Sequence, residues 1–66
     1  SPAAEAFYRV ALKRELRESL ILLGKDPNGY FSNDILITEL EDYVQLCRDN
    51  GADALIKYIV KKQGGM

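Results

Sequence analysis

Between Ile35 and Cys47 the apolar residues return every three or four positions. Wound on a helix, Leu36, Ile37, Leu40, Tyr43, Val44 and Cys47 share one face, and Thr38, Glu41, Asp42, Gln45, Arg48 and Asp49 share the other. That is the 3.6-residue period of an amphipathic helix, not the two-residue alternation of a strand. A short helix with so broad an apolar face is marginal in water alone, so other parts of the chain must cover it.

Upstream, Ser1 and Pro2 suit an N-cap and a first helical position, and Glu5 lies near the positive helix end. Nothing from Ala3 to Leu23 breaks a helix, and Gly24 is a fitting stop. The main apolar face of this first helix carries Tyr8, Leu12, Leu16, Leu20 and Leu23. A second apolar set lies on its far side: Phe7, Val10, Ala11 and Ile21, with Arg14 and Glu18 among them. A helix with two apolar faces needs two coverings, either both from its own domain or one from a partner.

Lys25 to Asn33, KDPNGYFSN, is the main loop, since Asp-Pro and Asn-Gly are turn dipeptides. Tyr30 and Phe31 are apolar enough to fold back over one end of the core. Ser32, Asn33 or Asp34 would then cap the central helix. A later start is the alternative, because Thr38 and Glu41 have capping-box spacing, which would leave Tyr30 to Ile37 extended. The early start is preferred because Leu36 and Ile37 continue the helical stripe. The central helix stops at Asp49-Asn50-Gly51, and Asp53 is a candidate cap for a third helix with Leu55, Ile56, Ile59 and Val60 on its apolar face. The short link makes the second and third helices neighbours in a hairpin. The expected fold is therefore all-α, a small three-helix bundle with helices at about 3–23, 34–50 and 54–63, in which the central helix touches both others.

Sixty-six residues allow one domain, residues 1–66. A chain this short buries only about 60% of the surface it exposes when unfolded, so a partner or neighbouring sequence has room to contribute. It opens at Ser1 and closes on Gly64-Gly65-Met66, which reads as a domain taken from a longer protein. Charged residues make up 29% and apolar ones 47%, the balance of a globular domain rather than a disordered one. The lone Cys47 cannot form an internal disulfide and falls on the apolar face, so it reads as a small core residue in a reducing, intracellular and cytoplasmic setting. No apolar run is long enough to span a membrane.

Candidate chemistry is sparse. The chain has no histidine, which removes Ser-His and Cys-His nucleophiles and the common zinc sites. Glu39, Glu41 and Asp42 form a solvated acidic face, not a pair of carboxylates in a cleft. No enzyme and no cofactor is expected. The stretch GKDPNGYFSNDI resembles part of an EF-hand loop, with Asp26, Asn28, Gly29 and Ser32 at ligand or turn positions. It departs from that pattern at both ends: Gly24 replaces the first carboxylate and Ile35 the bidentate glutamate, so strong calcium binding is not expected.

Net charge is −1, which gives no global pull toward nucleic acid. Arg9 and Lys13 on the first helix, with Lys57, Lys61 and Lys62 on the third, form an alternative basic patch. The third helix after a tight turn resembles helix-turn-helix DNA readers, but the acidic central helix would repel phosphate. The favoured reading is a docking, adaptor or oligomerisation module, with Phe7, Val10, Arg14, Arg17 and Ile21 as its contact surface. The expected partner is an acidic or amphipathic helix of another protein, or a second copy.

Overall fold

The computed structural model describes residues 1–24, 31, 34–62 and 64, and within them the chain forms three helices and no strand. Helix α1 spans Pro2–Leu22, α2 Ile37–Asn50 and α3 Ala52–Lys62. The all-α three-helix expectation therefore holds, and α2 packs against both other helices.

The N-terminus of α1 forms as its sequence dictates. The Ser1 hydroxyl accepts from the Ala4 amide at 3.2 Å, and Pro2 occupies the first turn, where its missing N–H costs nothing. At the other end Gly24 takes φ +74°, and its amide donates to the Ile21 carbonyl at 2.8 Å. Leu23 is the C-terminal cap rather than a helical core residue, and it remains partly exposed.

Helix α2 begins three residues later than expected. Ile35 lies outside the helix, and Leu36, extended with φ −69° and ψ 143°, serves as the N-cap without any side-chain hydrogen bond. Asp34 therefore lies outside the helix, and Ser32 and Asn33, the other caps considered, lie outside the described residues. The consequence is a two-residue change of face. Ile35 turns into the core and Leu36 turns out, 61% exposed, although the helical stripe had placed Leu36 inside. Thr38 sits within the first turn, so the capping-box start is not used either.

Helix α3 starts directly after Gly51, one residue before the expected cap, so Asp53 is a first-turn acid near the positive helix end. Its last described residue is Lys62, and Gln63 lies outside the described residues.

The directions of the helices follow from their cross-pairs. Tyr8 meets Glu41 and Glu15 meets Arg48, each pair 33 residues apart, so α1 and α2 run parallel. Glu39 meets Lys62 and Tyr43 meets Tyr58, so α2 and α3 run antiparallel. Parallel neighbours need a crossover. Ile35 lies beside Arg9, about 20 Å back along α1 from its last turn.

The core is one cluster: Leu12 and Leu16 of α1, Ile35, Leu40, Tyr43 and Val44, and Leu55 and Ile59 of α3. Phe31 closes over it, its ring 5.6 Å from that of Tyr43, as expected of an apolar loop residue. Tyr30 lies outside the described residues. Cys47 is half-buried against the same cluster, and burial pushes its thiol pKa up, which suppresses thiolate chemistry.

Candidate functional site: the outer face of the first helix

Helix α1 gives its leucines to the core on one side: Leu12, Leu16 and Leu20 are buried. Rotating away from that side reaches a second apolar set that is exposed among the described residues. Phe7 is 77% exposed, Val10 52% and Ile21 55%. Arg14 and Arg17 are exposed between them on the same face. Val10, Lys13, Arg14 and Arg17 border an open hollow of about 240 Å³. All five residues expected to make the contact surface thus share one solvent-facing stripe.

Several polar groups of α1 are engaged with α2 and the residues before it. Tyr8, expected on the main apolar face, is half-exposed, and its hydroxyl donates to Glu41 Oε2 at 2.6 Å. That hydrogen bond to the carboxylate holds the phenol above its ordinary pKa. Arg48 grips Glu15 with two hydrogen bonds of 2.8 Å, which hold the Glu15 carboxyl below its ordinary pKa. A depressed carboxylate pKa contributes stability above the unfolded carboxylate value, and that contribution disappears as pH falls through the folded value. Between these two pairs Tyr8, Leu12, Glu41, Val44, Gln45 and Arg48 line an open groove of about 220 Å³. Its polar walls already have partners, Tyr8 with Glu41, Arg48 with Glu15 and Gln45 with Asp49, so it is better suited to holding the helices in register than to holding a ligand.

Two members of the alternative basic patch make contacts within the fold. Arg9 donates to the Ile35 carbonyl and fastens the crossover to α1. Lys62 lies 3.7 Å from Glu39 and sits over the Tyr43 ring at 5.6 Å. The Tyr43 hydroxyl, with Glu39, holds its pKa above the ordinary lysine range. Two of the five cations are thus committed within the fold, leaving Lys13 on α1 and Lys57 and Lys61 on α3. The acidic carboxylates of α2 are also partly in use, Glu39 with Lys62 and Glu41 with Tyr8.

Among the described residues no three carboxylate or thiol groups converge as metal ligands. The segment resembling an EF-hand loop lies largely outside those residues. Among the described residues no helix is long and apolar enough to cross a membrane. Sequence reasoning missed two exposed leucines, Leu36 and Leu22, the latter 87% exposed. Leu22 sits in the last turn of α1, where it falls beyond the arc that faces α2. Periodicity alone did not reveal that.

Compared with known proteins, the chain matches no family model, no curated protein and no solved structure.

Proposed function

We propose that this chain is a non-catalytic interaction module that docks a protein partner on the outer face of α1. The observation that carries the reading is the second apolar set, Phe7, Val10 and Ile21, exposed on a helix whose opposite side already holds the core. Scattered single exposed apolar residues are ordinary; a run along one face of one helix is the mark of a surface meant to be covered. Arg14 and Arg17 would fix register, while the aromatic and aliphatic residues supply affinity. Supporting the non-catalytic part, the half-buried Cys47 has its thiolate disfavoured.

A selection experiment tests this without knowing the natural partner. Helical peptides are selected from a random library on the wild-type chain, and their affinities are then measured for Phe7→Glu/Ile21→Glu. The expected loss is at least about tenfold, since two buried anchors are replaced by charges. Peptides that bind the double variant as tightly as wild type would place the docking surface elsewhere. Duplex DNA is the control for the nucleic-acid alternative. Affinity that falls steeply with salt, lost in Lys57→Glu/Lys61→Glu, would favour that reading instead.

A further inference from the structure

The outer face of α1 has a finer order than exposure alone. Phe7, Ala11, Arg14, Glu18 and Ile21 are separated by four, three, four and three residues. All five are exposed. That is the alternation of the a and d positions of a heptad repeat, the seam along which one helix lies beside another. It runs for about 21 Å at 1.5 Å per residue. Its ends are apolar, and its two inner charges are opposite in sign. Among the described residues the side chains of Arg14 and Glu18 make no ion pair or hydrogen bond, whereas Glu15, next to Arg14 in the chain, is held by Arg48. Arg14 and Glu18 are one turn apart on the same helix, but with the cation first that pairing is the weaker order. Arg17 flanks the seam, outside its layers.

Reversed end for end, the seam is its own complement. Arg14 and Glu18 lie two residues either side of Leu16, and Ala11 and Ile21 lie five residues either side of it. An antiparallel copy with its two-fold axis level with Leu16 sets each Arg14 beside the Glu18 of the other copy. In the same register each Ala11 lies beside the other copy's Ile21, small against large. Phe7 then reaches past the end of the other copy's helix, where Leu22 is 87% exposed. Other arrangements fit worse. A parallel copy sets Arg14 against Arg14 and Glu18 against Glu18. An antiparallel copy shifted by one heptad sets Phe7 against Glu18 and Ala11 against Arg14. A wholly acidic or wholly basic helix would answer one of the two charges and repel the other.

We propose that the occupant of the outer face is a second copy of this chain, with the two α1 helices antiparallel and Arg14 paired with Glu18 across the seam at both central layers. Such a contact is isologous, so every interaction is made twice. The fork of Arg14 suits a carboxylate with two parallel hydrogen bonds. The proposal rests on the reading that this face docks a protein, and it names the occupant.

The test is sedimentation equilibrium of the full chain and its variants, with circular dichroism confirming that each keeps its helices. Wild type should show a monomer–dimer equilibrium that weakens as salt rises. Phe7→Glu/Ile21→Glu should be monomeric. Arg14→Glu and Glu18→Arg should each weaken dimerisation at least about tenfold, because each sets like charges together in both central layers. The exchange Arg14→Glu/Glu18→Arg should restore it to within about threefold of wild type, and the two single variants should pair with one another when mixed. A wild type that stays monomeric to about 1 mM would overturn the second copy. If peptides selected on the wild-type chain still lose affinity for Phe7→Glu/Ile21→Glu, the docking face survives that result with another protein as its occupant. A dimer untouched by Phe7→Glu/Ile21→Glu would put self-association on a different surface and overturn the proposal. A dimer lost in that double variant but unchanged by Arg14→Glu would overturn the antiparallel pairing, since parallel copies gain no new repulsion from that substitution.

Discussion

Leu40→Ala is expected to lower the stability of the domain by about 2–5 kcal/mol, the range for a buried leucine truncated in a core that cannot collapse around the gap. Leu40 is completely buried, and α2 is the one helix packed against both others. At about 0.05–0.15 kcal/mol per residue, a chain of this size has only roughly 3–10 kcal/mol in total. The variant should therefore melt far below wild type, or fail to show a cooperative transition at room temperature. Leu36→Ala is the paired control. Leu36 is exposed before the helix starts, and its truncation should change stability by no more than about 0.5 kcal/mol. Thermal unfolding followed by circular dichroism separates the two. Equal effects would mean that the start of α2 is misplaced.

The second large effect is expected at Gly51→Ala. Gly51 joins α2 to α3 with φ +91° and ψ 161°, a region that a residue with a side chain rarely enters. Its amide donates to the Cys47 carbonyl at 2.9 Å, and its own carbonyl accepts from the Leu55 amide, so the conformation is bound into both helix ends. A Cβ at this position would meet nothing within 4 Å. The cost is therefore purely one of backbone conformation, about 1–3 kcal/mol. Gly24→Ala should cost less, because φ +74° belongs to the ordinary left-handed helical stop. Urea unfolding of the two variants checks the order, and a harmless Gly51→Ala would mean that the turn relaxes into an ordinary conformation.

Which parts of this molecule were legible in the sequence follows from how local their causes are. The three helices rest on periodicity and on stop residues, and Leu12, Leu16, Leu40, Leu55 and Ile59 were placed inside by spacing alone. The start of α2 was not legible, because Leu36 and Ile37 fit the helical stripe equally well. What decides between them is tertiary: Arg9 holds the Ile35 carbonyl, and Ile35 fills the core from just outside the helix. The parallel run of α1 and α2 was equally hidden, since KDPNGYFSN is rich in turn residues and says nothing of how far the chain must travel back. Tyr8 shows the same limit from the other side. Its spacing marks it as core, yet the reach of its hydroxyl to Glu41 keeps the ring half in water.

The outer stripe of α1 was legible as a second apolar set, because Phe7, Val10 and Ile21 have no place on the face of Leu12 and Leu16. What spacing could not decide was whether another helix of the same domain covers it. Two short helices supply the covering, α2 with 14 residues and α3 with 11, and α3 lies mainly against α2. Among the described residues, that leaves the far side of a 21-residue α1 exposed.

The most direct test of a two-sided α1 compares two variants of the same helix by thermal unfolding. Phe7→Glu/Ile21→Glu places two charges on the outer stripe, and Leu16→Glu places one charge on the buried side. The expected result is a cooperative transition for the double variant within a few degrees of wild type, and no folded state for Leu16→Glu. Loss of the folded state in the double variant would contradict the account, because it would make the outer stripe part of the core and leave no face for a partner.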